Sequence, residues 1–444
     1  MRLPLSKQLR QIPALVSLLR KACFEYAGKF VSTGAVHFFS AQIFSQVLSF
    51  GSSILVVKFL TPAELAESRI IQTYAGYIVM LGGMGFGASI LTVFPKERDE
   101  ATKAAWLRAL AGFAIAATSV LAMGAAVISF NGGLMSNAKT AYWFRWFLLG
   151  TLANVLASLL TAFYQAGKQV KKLSGIQSVV RFFNVFLIVG AAWTAGFAGY
   201  IIAATASAWV YALSLYKATR WESIRLTVPQ LPKVVWSTGL LAMGGNLLYS
   251  MSRSLDIVIM DRLVTDRALM GSFALASSFM MFPQFLISAV QTVGVPYFAA
   301  RFREPQWLLK TTIKAQAVAL LLSFVIAALF YLGCLALVHW FYGPSYAPTA
   351  RLIVPMLGAF CLNSTFNVLS MALFAIDMVR INVLVAVIMF PISVAMSYGC
   401  IRQFGVAGAV WAQLANAFLY ALVQHGIGWR VMLNQRKRIF PTAA

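Results

Sequence analysis

The chain has 444 residues, 60% hydrophobic and only 11% charged, and its 36 Lys and Arg against 12 Asp and Glu leave a net charge of +24. A soluble domain carries about 25% charged residues, so a soluble enzyme is excluded. RNA- and DNA-binding folds are not this apolar, and a membrane with an anionic leaflet is the better partner for the basic excess.

In chain order, the first 34 residues are mixed. Gln11 to Phe24 sets Ile12, Leu15, Val16, Leu18 and Leu19 among Arg10, Arg20 and Lys21. That is too interrupted to span, and no small-residue cleavage site follows, which argues against a signal peptide. A basic amphipathic helix on the cytoplasmic membrane surface is expected. Twelve apolar windows follow, each near the ~20 residues that a spanning helix needs. They cover 35–58, 70–94, 105–129, 142–164, 176–195, 198–216, 238–261, 270–298, 312–340, 350–375, 381–400 and 406–429. The loops between them leave no room for a folded extramembrane domain. Placing the N-terminus inside puts 26 basic residues on the cytoplasmic side and 8 outside, with Arg181 and Arg253 inside windows. By the positive-inside rule both termini are cytoplasmic.

The sixth and twelfth windows carry a repeat. Gly196–Leu213 and Gly405–Leu422 share a GxAG turn, later alanines and a closing Tyr-Ala-Leu at an offset of 209. The first two windows of each half match more loosely, with Phe94-Pro95 opposite Val295-Pro296. Six windows per half in one direction predict an all-α polytopic protein of two six-helix bundles. They are 35–216 and 238–430, related by a pseudo-two-fold along the membrane normal. Residues 217–237 are a cytoplasmic linker and 431–444 a cytoplasmic tail. Parallel repeats of this kind build transporters that rock about a site between the halves.

Polar residues in hydrocarbon are costly, so they should face a cavity or another helix. The first window holds Gln42, Ser45, Gln46, Ser49 and Ser53, and the second Gln72 with a glycine face. Asn246, Tyr249, Ser250, Arg253 and Asp256 share one face of the seventh. Ser277, Gln284, Ser288 and Gln291 mark the eighth, and Asn363, Asn367 and Ser370 the tenth. A polar cavity between the halves follows. Asp256, three residues after Arg253, is close enough to pair with it. That pair reads either as part of a substrate site or as a structural ion pair. Asp256 lies toward the outer side, where Lys58 or Arg69 would make a gate with it. Arg181 is near enough to the inner interface to snorkel, or is a second cationic substrate contact. The four cysteines have no metal-ligand spacing, and no catalytic, Walker or zinc motif is present. No enzyme activity is expected.

Several motifs carry a resemblance. Val57-Lys58-Phe59-Leu60-Thr61-Pro62, the glycine-rich Leu81-Gly82-Gly83-Met84-Gly85-Phe86-Gly87 and Ser254-Leu255-Asp256-Ile257-Val258-Ile259-Met260 stand in order along the chain. Phe341-Tyr342-Gly343-Pro344-Ser345-Tyr346-Ala347-Pro348 and Phe404-Gly405-Val406-Ala407-Gly408-Ala409 follow. Together they resemble the polysaccharide-transporter branch of the multidrug/oligosaccharidyl-lipid/polysaccharide exporter superfamily, over nearly all the chain after residue 35. Thr61-Pro62-Ala63-Glu64 replaces the family's usual Gly-Pro in the first loop, a mark of a divergent member.

The resemblance implies a flippase for undecaprenyl-pyrophosphate-linked repeat units of O-antigen or exopolysaccharide in the bacterial inner membrane. No cofactor is implied beyond a coupling H+ or Na+. The implied partners are the lipid-linked oligosaccharide, membrane lipids, a polysaccharide polymerase and a chain-length regulator. In that frame Arg253 and Arg181 attract the pyrophosphate, and Asp256, Asn246, Gln42, Gln46, Gln284, Gln291, Asn363 and Asn367 line the path. Lys58 and Arg69 gate it. The alternatives are a cation-coupled drug antiporter of the same superfamily and a membrane-embedded polymerase or ligase.

Overall fold

The computed structural model describes residues 35–97, 99–219, 231–299, 301, 304–376 and 378–439. The expected surface helix before residue 35, most of the linker and the last five residues lie outside the described residues. Every regular element among the described residues is helical. The long helices are α1 (Ala35–Val57), α2 (Pro62–Gly82), α4 (Glu100–Phe130), α5 (Ala138–Ala166) and α6 (Val170–Ala218), with the short α3 (Phe86–Val93) after α2. Then come α7 (Lys233–Leu263), α8 (Arg267–Ala299), α9 (Pro305–Leu337), α10 (Thr349–Ala375) and α11 (Val379–Ile439).

Local chemistry explains the helix starts. Thr61 caps α2, accepting from the Glu64 amide while the Glu64 carboxylate accepts from the Thr61 backbone, and Pro62 stands in the first turn. The stretch that departs from the family's Gly-Pro is therefore a capping box. Asp99 and Asn137 cap α4 and α5. The glycine-rich stretch ends α2, where Met84 and Gly85 take φ of 49° and 64°, and α3 leaves at 46° to α2.

Among the described residues seven helices are long and apolar enough to cross a membrane, or eight if α2 and α3 form one bent span. The protein is a multi-pass membrane protein. The twelve sequence windows exceed that count for two reasons. First, α6 and α11 each hold two windows. At about 1.5 Å per residue, either helix is well over twice as long as a bilayer core is thick. Each is broken at a glycine with matching backbone angles, Gly196 (φ 58°, ψ −137°) and Gly405 (φ 59°, ψ −136°). Second, α1 counts only through its apolar stretch Gln46–Val57, which is shorter than a span, and α7 is too polar to be counted.

The two kinks share a second constraint. A Cβ on Gly199 would stand 2.1 Å from the Ala191 carbonyl oxygen, and one on Gly408 would stand 2.0 Å from that of Cys400. The repeated GxAG is thus a turn in which the first glycine supplies the backbone angle and the last admits the preceding helix. Gly196→Ala and Gly405→Ala should each cost about 1–3 kcal/mol, the penalty of a strained backbone angle. Unfolding of the purified protein would measure it, and unchanged stability would contradict this reading of the turn.

Helix packing divides the molecule by its ends. The largest apolar core gathers Val57, Leu60, Met135 and Phe197 with Met260, Met270, Tyr346 and Val406. These lie around the turns at 58–61, 131–137, 196, 264–266, 338–348 and 405, so one core joins early and late helices at that end. Toward the other end the core splits. One cluster lies in α3 to α6 with the first turn of α7, and another in the far ends of α8 to α11. Early and late helices meet along α2 with α8, α2 and α3 with α7, and α1 with α8.

Candidate functional site

The joined end is closed by three devices. In the turn between α9 and α10, Tyr342 donates its hydroxyl to the Ile54 carbonyl at 3.1 Å, and Tyr346 to that of Leu60 at 2.9 Å. Both satisfy carbonyls at the C-terminal end of α1 and the turn after it, which a helix end leaves without partners. Burial pushes the Tyr346 phenol above its ordinary pKa, keeping the proton it donates. Charged groups form the second device. Arg267 pairs with Asp261 at 2.8 Å, and Ser136 donates to the same Asp261 oxygen at 2.9 Å and also contacts Arg267. Asn137 donates to Glu67 at 3.3 Å, while Lys139 lies 3.7 Å from Glu64 and 3.9 Å from Glu67. Arg262 bonds the Gly133 carbonyl. Third, α8 reaches α2 at Gly271, where a Cβ would lie 1.8 Å from the Pro62 carbonyl oxygen.

Immediately beneath this closure lies a cavity of about 320 Å³ between α1, α2, α6 and α8. Its polar lining is Ser49, Ser52, Ser53, Ser68, Arg69, Gln72, Arg181, Asn184, Tyr200 and Ser278. Among the described residues that line it there is no carboxylate. Arg181 donates to the Ser49 hydroxyl at 2.9 Å, tying α6 to α1. Arg69 donates to Ser278 of α8 at 3.1 Å and to the Gln72 side-chain oxygen at 3.5 Å. Gln72 in turn donates to the Tyr200 hydroxyl at 2.6 Å. Two guanidiniums that donate to neutral hydroxyls and an amide, in a wall whose described residues carry no negative charge, make a site for an anion. A larger groove of about 590 Å³ between α7 and α11 is lined by Leu255, Ile259, Phe390, Pro391, Val394, Ala395 and Tyr398. It holds no cation and cannot recognise an anion.

The sequence-predicted site residues fall in several places. Arg181 and Arg69 come together in the cavity, although the sequence suggested substrate contact for one and gating for the other. Lys58 is exposed at the joined end, with its ammonium 4.4 Å above the Phe341 ring. Asp256 does not find its partner in Arg253, Lys58 or Arg69. It is 6% exposed and accepts hydrogen bonds from Gln413, at 2.9 Å, and Ser397 of α11. The physical reason is that α11 covers that side of α7, while the Arg253 side chain stands on an exposed one. Asn246 and Gln284 are exposed and Gln46 is half-buried, none of them lining the cavity. Asn363 and Asn367 are half-buried on α10, bonded through the Asn367 amide to the Asn363 carbonyl at 2.7 Å. The side chains of Gln42 and Gln291 lie outside the described residues. Sequence reasoning missed Ser278, Tyr200, Asn184 and the Glu67–Asp261–Arg267 group, whose partners lie up to 209 positions away. The glycine and serine pattern of α8 was the one local signal.

Comparison with known proteins agrees with this architecture. A multidrug resistance transporter of the MATE family in an inward-facing conformation, from the MOP superfamily, superposes with a TM-score of 0.71. It is 14% identical, over 90% of this chain and 96% of that one. The lipid II flippase MurJ in an inward closed conformation gives 0.68 at 14% identity, over 91% and 92%. A MOP superfamily transporter from Pyrococcus furiosus gives 0.62 at 14% identity, over 92% and 96%. At these identities the likeness is one of fold. No curated protein sequence matches the chain. The sequence family described as polysaccharide biosynthesis protein does match, over residues 31–302. With that match covering more than half of its length, the chain belongs to the polysaccharide biosynthesis protein family.

Proposed function

We propose that the protein is a flippase that moves undecaprenyl-pyrophosphate-linked oligosaccharide repeat units, of O-antigen or exopolysaccharide, across the bacterial inner membrane by alternating access. The observation that carries this reading is the cavity that brings Arg69 and Arg181 together, with no carboxylate among the described residues that line it. At about 320 Å³ it lies at the low end of the usual size for ligand pockets, enough for a diphosphate and too small for an oligosaccharide. The diphosphate is then what the cavity recognises, and the sugars occupy the space between the halves. The same cavity argues against a drug antiporter, because two guanidiniums repel an organic cation.

The proposed frame is twelve spans in bundles 35–216 and 238–430, with both termini cytoplasmic and the joined end facing outward. Counting α6 and α11 twice at their glycine kinks, α2 with α3 once, and α1 and α7 as polar spans gives that number. Arg253, Asn246 and Gln284, all exposed on α7 and α8, face a water-filled space in this frame, since polar and charged side chains exposed to lipid at that depth are costly. They belong to the path taken by the sugars. An inside-negative potential favours outward movement of an anion by about 2.3 kcal/mol per charge per 100 mV. A coupling H+ or Na+ would need a carboxylate away from the anion, and Asp256 under α11 is the group we assign to it.

The test is reconstitution into liposomes carrying a fluorescent polyprenyl-pyrophosphate oligosaccharide, with translocation read by loss of access to an impermeant quencher. Translocation above protein-free liposomes is expected. A protein that moves an organic cation and leaves the lipid-linked sugar in place would overturn the proposal.

A further inference from the structure

We infer that Ser278 is a coupling residue: its hydrogen bond to Arg69 tethers the two halves until an anion takes the guanidinium away. The inference rests on the flippase reading for the identity of the anion, but the tether itself is a property of the substrate-free protein. Arg69 belongs to α2 and Ser278 to α8, and both line the cavity. Their 3.1 Å bond therefore crosses from an early helix to a late one inside the ligand's own space. The same guanidinium lies 3.9 Å from the Met281 sulfur of α8, a weak acceptor, while Tyr77 and Ser254 join α2 to α7 at 2.8 Å and the remaining ties among the described residues lie elsewhere. Ser136 with Asp261 and Tyr346 with the Leu60 carbonyl sit at the closed end, and Ser89 bonds the Val235 carbonyl where α3 meets α7. None of those remaining ties involves a cation of the cavity.

Arg69 is also two turns from Pro62, on the helix pair whose backbones touch at Gly271. Parting α2 from α8 is the movement that would open the joined end, and the tether opposes it. A guanidinium bonded to a neutral hydroxyl exchanges it readily for phosphate oxygens, because charge-assisted bonds are roughly twice as strong as neutral ones. The Ser278 hydroxyl loses little, since it already donates to the Ala274 carbonyl at 2.9 Å. With Ser278 gone from Arg69, its donors are free for a bidentate grip on the anion. The anion therefore binds the parted state better than the joined one, and that difference in affinity is what shifts a conformational equilibrium. Gln72, itself fixed by Tyr200 at 2.6 Å, holds the guanidinium in place during the exchange.

The experiment uses the full-length protein with its native cysteines replaced and one cysteine introduced at Ser68, which is 2% exposed and lines the cavity. Right-side-out and inside-out vesicles are labelled with an impermeant maleimide, with and without inorganic pyrophosphate inside. In the otherwise wild-type protein, labelling from the joined end is slow and pyrophosphate accelerates it. Ser278→Ala should label about tenfold faster without any ligand, the weight of one hydrogen bond to a charged group, and should gain little from pyrophosphate. Ser278→Thr keeps the hydroxyl and should behave as wild type, which separates loss of the tether from loss of the fold. Ser278→Ala labelling at the wild-type rate with the wild-type pyrophosphate response overturns the inference. Failure of pyrophosphate to bind, read by calorimetry, sinks the flippase reading instead and leaves the ligand-free comparison standing.

Discussion

Replacing Arg69 and Arg181 together by Gln is expected to abolish surface polysaccharide in a strain that depends on this protein, at normal protein abundance. Gln is neutral and shorter than Arg, so the stem still packs while the charge and the reach to Ser278 and Ser49 are removed together. A charge-assisted hydrogen bond contributes about 1.5–3 kcal/mol, so each single variant should lose roughly 10- to 100-fold in pyrophosphate affinity. No carboxylate stands among the described residues of the wall, and the melting temperature of each variant separates loss of binding from loss of stability. Arg69→Lys and Arg181→Lys should fall between, keeping the charge without the planar fork. Pyrophosphate titration at two salt concentrations, beside complementation, checks all four. Wild-type polysaccharide in the double variant would remove the cavity from the transport path.

The second large effect is expected at Gly271. A Cβ there meets the Pro62 carbonyl oxygen at 1.8 Å, its carbon at 2.4 Å and its Cα at 2.7 Å. All three are backbone atoms, so no side-chain rotation relieves the clash. Gly271→Val must push α8 off α2, with an overpacking cost of about 1–3 kcal/mol. The displaced contact is one of the three devices that close the joined end, so the damage should appear as access. A reporter cysteine at Ser68 should become reactive from that end, and transport should fall because the closed state is no longer reached. Gly245, in open space on α7, is the control: Gly245→Ala should leave access unchanged. Slow labelling in Gly271→Val would show that the two helices need not touch to close.

Much of the fold was legible because hydrocarbon imposes a simple rule on sequence: apolar windows are helices. The repeated GxAG was readable for the same reason, since both copies obey one steric demand and take the same angles within a degree. The site was legible only residue by residue. Arg181 and Arg69 stood out as cations in or beside apolar windows, yet nothing in the chain joined them, because α6 meets α1 and α2 through packing that sequence spacing does not encode. Arg253 and Asp256 misled for a related cause. Helical periodicity fixes the angle between two side chains and says nothing of which neighbour covers each, and α11 took Asp256 through Gln413. Arg267 entered only as one of the outer basic residues, and Glu67 and Asp261 carried no local signal of a partner. Their pairing depends on Ser136 and Asn137 arriving from a turn some 70 to 125 positions away in the chain.

The apolar core that is shared at one end and split at the other places an unusual demand on the side chains that build it. In an ordinary protein a better-filled core is simply a more durable one. In the proposed alternating-access cycle the shared core comes apart and reforms each time, so its stickiness is also the height of a step. A tighter fit among Leu60, Met260 and Met270 would arrest the cycle, and a looser one would leave the membrane leaking. On that proposal the side chains at this end serve a balance between two resting shapes, and the tightest packing is not the most useful one.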